Sequence, residues 1–215
     1  MDVVAPPENY VGTANFHELK KGAVLYRLHS ATRPATKFNT KPARSPFEGG
    51  RFDATPDDLY SYLYAGTSRT TVLAERLLRS VRFDSNGRRL LQRRMVAGRA
   101  LSRVEVIADL TLLALVKTSD LAAVAQTSAL VQSTDYARTR YCGHWLRERF
   151  PAAQGFIWQS NRDVPHSTLV LFDDRGDTAN ALACSPDGPF PLDTPKGIEE
   201  INRLLGPYNA YIELP

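Results

Sequence analysis

At 215 residues, 43% hydrophobic and 23% charged, the chain holds enough apolar material for one packed domain without a metal or disulfide staple. Two cysteines build no disulfide framework, MDVVAPPENY lacks the basic and apolar stretches of a secretory leader, and the longest apolar run, LLALV at 112–116, is too short to span a bilayer. Those exclusions leave the expectation of a cytoplasmic protein off the membrane; the net charge of +4 suits an anionic ligand, an acidic partner or nucleic acid as well as a solvated basic surface.

Residues 1–20, with Pro6 and Pro7, read as an irregular arm. GAVLYRLH at 22–29 alternates as a strand, with Val24, Tyr26 and Leu28 on one face and Leu25 and Arg27 on the other. Residues 31–50 are rich in Thr, Pro, Lys, Asn and Gly and predict a long loop, a place where function concentrates. LYSYLYA at 59–65 predicts a second strand, GTS a break, and 70–81 a helix. Residues 89–98 and 102–107 suggest further strands, 111–131 short helical pieces, and 134–149 a stronger helix. GFIWQS at 155–160 and STLVLFDD at 167–174 read as two late strands, the second apolar enough to be central. A proline-rich tail follows, with one short helix near 197–205. This mixture has no regular strand–helix–strand alternation, so it predicts an α+β fold.

Five polar residues stand out against apolar surroundings. Arg27 lies in an apolar strand, where a surface arginine and a phosphate-gripping fork are both consistent with the sequence. Arg51 follows Gly49 and Gly50, which let backbone approach a ligand closely, though a solvent-facing turn reads the same way. Tyr64 shares a strand face with Tyr60 and Tyr62, either as a core stripe or as a platform for a planar ring. On a helical wheel Leu73, Ala74, Leu77, Leu78 and Val81 form the buried face. Glu75 falls just outside it, beside Thr71 and Arg79. It could pair with Arg79 at i,i+4 or look into a cleft. Ser160 ends its strand without a GxSxG elbow, so it reads as turn chemistry or as a ribose or phosphate contact rather than a nucleophile. Cys142, His144 and Trp145 share one helix without HExxH or CxxC spacing, and no metal is expected. RRLLQRR at 88–94 could meet nucleic acid or simply charge a sheet edge.

Taken in order, Tyr26-Arg27, Gly50-Arg51-Phe52, Tyr64-Ala65-Gly66, Ala74-Glu75, Tyr136 with Thr139, and Gly155 through Ser160-Asn161-Arg162 before an apolar strand form a pattern. Over residues 22–174 it resembles the RES domain family, named for Arg, Glu and Ser. The resemblance implies an ADP-ribosyltransferase-like split antiparallel sheet with flanking helices. The catalytic domain would span 21–174, preceded by the arm 1–20 and followed by an extension, 175–215, packed on the same domain. It also implies a toxin that cleaves the nicotinamide–ribose bond of NAD, as a glycohydrolase or a phosphorylase. NAD would be the substrate, with no cofactor. A small Xre-type helix-turn-helix antitoxin would control it, and nucleic acid would be reached only through that partner.

On this resemblance Glu75 would stabilise cationic character at the ribose, as a carboxylate does in other glycosyl transfers. Arg27 and Arg51 would hold the pyrophosphate, Tyr64 would orient the nicotinamide end, and Ser160 would bind a ribose or phosphate oxygen. Glu75, Arg27 and Tyr64 are the catalytic candidates; Arg27, Arg51, Tyr64 and Ser160 are the binding candidates. Water, inorganic phosphate and a protein side chain stay open as acceptors. The competing readings are a protein ADP-ribosyltransferase on the same fold, a nucleic-acid-directed toxin using the basic segments 33–44 and 88–94, and a non-catalytic binding module.

Overall fold

The computed structural model describes residues 2–213; Met1 of the expected arm and Leu214 and Pro215 of the expected extension lie outside the described residues. The chain runs β1 (Phe16–Leu19), β2 (Val24–Ser30), β3 (Tyr62–Gly66), α1 (Arg69–Leu77), β4 (Arg89–Leu90), β5 (Arg99–Val106) and β6 (Leu110–Leu115). Three helices follow, α2 (Thr118–Ala123), α3 (Ala129–Gln132) and α4 (Tyr136–Arg149). The last elements are β7 (Gly155–Gln159), β8 (Ser167–Phe172), β9 (Leu182–Cys184), β10 (Phe190–Pro191), α5 (Pro195–Leu205) and β11 (Ala210–Tyr211).

Among the described residues one mixed sheet runs in the order β1-β6-β7-β8-β3-β2-β5-β10, with β9 beside β10 on the free edge of β5. The α+β expectation holds, and so does the split. β2 pairs with β5 over seven residues, from Val24↔Glu105 to Ser30↔Arg99. β3 pairs with β8 over five. β2 and β3 meet only at Tyr26↔Gly66. Gly66 permits that seam to close: a Cβ there would stand 2.8 Å from the Val72 Cγ1 of α1. The antiparallel expectation needs one correction, because β6 and β7 are parallel. A parallel neighbour needs a long crossover, and α2, α3 and α4 supply it.

Three other expectations are corrected. Residues 110–115 are a strand, not helix, because LTLLAL is apolar on both faces and such a run carries no period. The strand expected over 89–98 shrinks to Arg89–Leu90 followed by a helical turn at Arg93–Met95; only Leu91 and Val96 are buried there, and the charges between them leave no continuous apolar face. The arm is not wholly irregular, since β1 closes the edge of the sheet against β6.

Strand alternation sorts the core. Tyr62, Tyr64, Phe52 and Trp158 pack together on one face, and Tyr26 and Leu28 pack against α1 and α5. Leu25, Leu63 and Ala65 point to the other face, toward Ala35 and Phe38. Ile198, Ile201 and Leu205 of α5 join Leu73 and Leu77 of α1 in a single cluster, so the tail packs directly behind the helix that carries Glu75. Among the described residues no helix is long and apolar enough to cross a membrane.

Candidate active site

The site is built where α1 meets the end of β7. Ser68 caps α1 by accepting the Thr71 N–H at 2.9 Å, which fixes the first turn and the rotation of the helix. Glu75 then falls at the border of the buried stripe, half-buried. Ser160 is fully buried. Its hydroxyl donates to Glu75 Oε1 at 2.6 Å and accepts the N–H groups of Arg162 at 3.2 Å and Asp163 at 3.1 Å. The Arg162 guanidinium reaches Glu75 Oε2 at 3.3 Å. One carboxylate is therefore held at both oxygens by a loop distant in sequence.

Arg79 does not pair with Glu75. Its Nη2 donates to the Gly49 carbonyl at 3.0 Å, and its guanidinium stacks on the Tyr136 ring at 4.0 Å. That tyrosine, the first residue of α4, also lies 5.5 Å from the Arg51 guanidinium. Arg51 is buried, and its Nη1 donates to the carbonyls of Leu130 at 2.9 Å and Ser133 at 2.8 Å. Burial lowers its pKa, while Tyr136, Tyr64 and Glu75 pull it back toward the ordinary value. Among the described residues no carboxylate stands within ion-pair distance of Arg51. A cation desolvated without a direct counter-charge is a ready partner for an anionic ligand.

Tyr64 is half-buried, edge-on to Trp158 at 6.3 Å and to Tyr62 at 5.8 Å. Its phenol oxygen accepts the Phe52 N–H at 2.8 Å, which ties the strand to the residue after Arg51. Burial holds the phenol's pKa well above its usual value, so it stays protonated. Behind it, Arg140 grips the loop that precedes Arg51. This buried arginine donates to the carbonyls of Glu48 at 2.7 Å and Ser45 at 3.0 Å.

The structure thus brings Arg51, Tyr64, Glu75 and Ser160 together. It does not bring Arg27. Arg27 follows the face of Leu25, opposite Tyr26 and Leu28, and donates to the carbonyls of Ala35 at 2.5 Å and Lys37 at 2.7 Å. Burial lowers its pKa to about 10. The reason is strand geometry: a residue one step from Tyr26 must point away from α1. Ser160 has no exposed surface, and its proton is directed at Glu75.

Three functional candidates escaped the sequence reading. Arg162 stood in the Ser-x-Arg element without a role. Tyr136 enters the pattern with no role of its own. Arg79 looked like a helix-surface partner because of its spacing. Among the described residues no group of three or more His, Cys, Asp or Glu side chains could hold a metal.

What this arrangement can do is bind an anion near Arg51 and present a fixed carboxylate beside two aromatic rings. No curated protein matches the chain. Its fold is similar to that of a chain in the crystal structure of the M. tuberculosis MbcT-MbcA toxin-antitoxin complex. The TM-score is 0.56 at 18% identity, covering 78% of this chain and 84% of that one. The RES domain model matches residues 24–193, past the 174 expected and through β9 and β10. The chain belongs to the RES domain family.

Proposed function

We propose that this protein is an NAD-degrading toxin that breaks the nicotinamide–ribose bond and is restrained by an antitoxin. The observation that carries the reading is the Glu75 carboxylate, gripped by Ser160 at 2.6 Å and Arg162 at 3.3 Å beside the buried cation Arg51. Departure of nicotinamide leaves positive charge on the ribose, and a preorganised carboxylate stabilises that charge without reorganising. Arg51 would take a pyrophosphate oxygen, and Tyr64 and Tyr136 would flank a planar ring. Arg27 has no direct contact with substrate in this reading; it holds the loop after β2.

The toxin role follows the family and the likeness of fold to a chain of a toxin–antitoxin complex. The partner fitting this reading is an Xre-type helix-turn-helix antitoxin, and the site of action is the cytoplasm. The test is to mix purified protein with NAD and follow nicotinamide. ADP-ribose as co-product marks a glycohydrolase, ADP-ribose 1″-phosphate in phosphate buffer marks a phosphorylase, and a mass shift on protein marks an ADP-ribosyltransferase. Intact NAD would sink the proposal.

A further inference from the structure

We infer that the C-terminal segment positions the Glu75 carboxylate through Tyr208 and Asp163. The inference rests on the reading of Glu75 as the catalytic carboxylate. Tyr208 lies outside the residues matched by the family model, which end at 193. Its phenol donates to Asp163 Oδ1 across 45 residues of sequence.

Asp163 is a buried node. Its Oδ2 accepts from Thr71 Oγ1 at 2.5 Å and Ser68 Oγ at 3.2 Å, and His166 Nδ1 stands 3.3 Å from Oδ1. Two routes lead from Asp163 to Glu75, one from its carboxylate and one from its backbone N–H. The first runs through α1: Ser68 caps the helix, and Thr71 sits one turn before Glu75. The second runs through the loop: the Asp163 N–H donates to Ser160 Oγ at 3.1 Å, and Ser160 donates onward to Glu75 at 2.6 Å. Asp163 therefore sets both the helix that carries the carboxylate and the hydroxyl that aims it.

Tyr208 is itself held firmly. It closes the helical turn after α5, and Asn209 follows at φ 51°, a left-handed conformation that asparagine tolerates. The Asn209 carbonyl accepts the Arg89 N–H at 2.7 Å, and β11 pairs with β4 beyond it. Burial and the Asp163 carboxylate push the phenol up to about 12, so it remains a donor through the neutral range. Burial also raises the Asp163 carboxyl, but hydrogen bonds from Thr71, Tyr208 and Ser68 and the nearby His166 outweigh it, and the group ends below its ordinary value. Without the Tyr208 donor the Asp163 carboxylate is held by Thr71, Ser68 and His166 alone, which loosens both the start of α1 and the loop that carries the Asp163 N–H.

The test compares Tyr208→Phe, Asp163→Asn and Ile212→Val in the full chain. Ile212 is buried in the tail cluster against α1, so its truncation loosens the same segment. Tyr208→Phe is expected to lower kcat about tenfold with KM unchanged, since small displacements of a reacting group are costly in rate. Asp163→Asn is expected to lower kcat further. Ile212→Val is expected to lower the melting temperature and leave kcat alone. Wild-type kcat in Tyr208→Phe overturns the inference, as does an equal fall of kcat in Ile212→Val. If the wild-type protein leaves NAD intact, the functional reading fails on its own. The positioning is then read from the ¹³C signal of the Glu75 carboxyl, with Ser160→Ala as reference. A signal that moves in Tyr208→Phe in the direction of Ser160→Ala supports the inference, and an unmoved signal overturns it.

Discussion

Replacing Glu75 by Gln preserves its shape and removes its charge. Gln can still accept the Ser160 hydroxyl at Oε1, so the 2.6 Å hydrogen bond survives the change. What is lost is the attraction between the carboxylate and a developing cation, and with it the Oε2 acceptor of Arg162, because the Gln NH2 then faces that guanidinium. At about 5 Å and an effective dielectric of about 20, that attraction is about 3 kcal/mol. The barrier should rise by that amount, so kcat should fall by about 10²-fold or slightly more. Stability should fall by about 1–3 kcal/mol, since the Glu75–Arg162 pair keeps side-chain exposures of only 26% and 20% and Gln leaves the guanidinium without its charged acceptor. The assay is single-turnover release of labelled nicotinamide, run beside a urea melt of the same sample. Turnover near that of the wild type, in a folded Gln variant, would refute the electrostatic role and leave Glu75 as a structural anchor for Arg162.

Other outcomes follow from the same geometry. Arg51→Lys keeps the charge but loses the planar guanidinium, whose Nη1 alone holds the Leu130 and Ser133 carbonyls, so NAD affinity should fall by about tenfold or more; calorimetry on the Glu75→Gln background measures it without turnover. Gly143→Ala would bring a Cβ within 2.8 Å of Phe52 Cδ1, a ring with no exposed surface, so α4 must shift; a loss of about 1–3 kcal/mol is expected in denaturant unfolding. Burial pushes the Cys142 thiol up to about 11 and hides it, whereas Cys184 is exposed; peptide mapping after brief maleimide treatment at neutral pH should find Cys184 labelled and Cys142 spared.

Much of the sheet was legible because it is half polar or flanked by clear breaks. β7 and β8 lie within the stretches that alternation or apolar runs mark out, and β2 and β3 overrun theirs by one residue each, Ser30 and Gly66. β6 was not, since a strand buried on both faces and a buried helix read alike in six residues. The site divides in the same way. Glu75 was placed by helical rotation, and its border position is what admits Ser160 and Arg162. Its partner was not legible, because Arg162 lies 87 residues away and prevails over the nearer Arg79 by tertiary placement alone. Arg27 was the opposite case. Alternation already set it across the strand from Tyr26, and the family resemblance drew it into the site against that geometry.

The seam at Tyr26↔Gly66 has a mechanical consequence. A broad sheet joined near its middle by one residue pair behaves as two stiff plates with a compliant hinge line. α1 lies across that line, with Val72 against Gly66 and its apolar side against Tyr26 and Leu28. It works as a splint. The carboxylate at Glu75 is mounted on the splint, so any flexing of one plate against the other is delivered to it as a displacement. Amide exchange should then show the hinge directly, with Gly66 opening faster than the neighbouring residues of β3 that pair with β8.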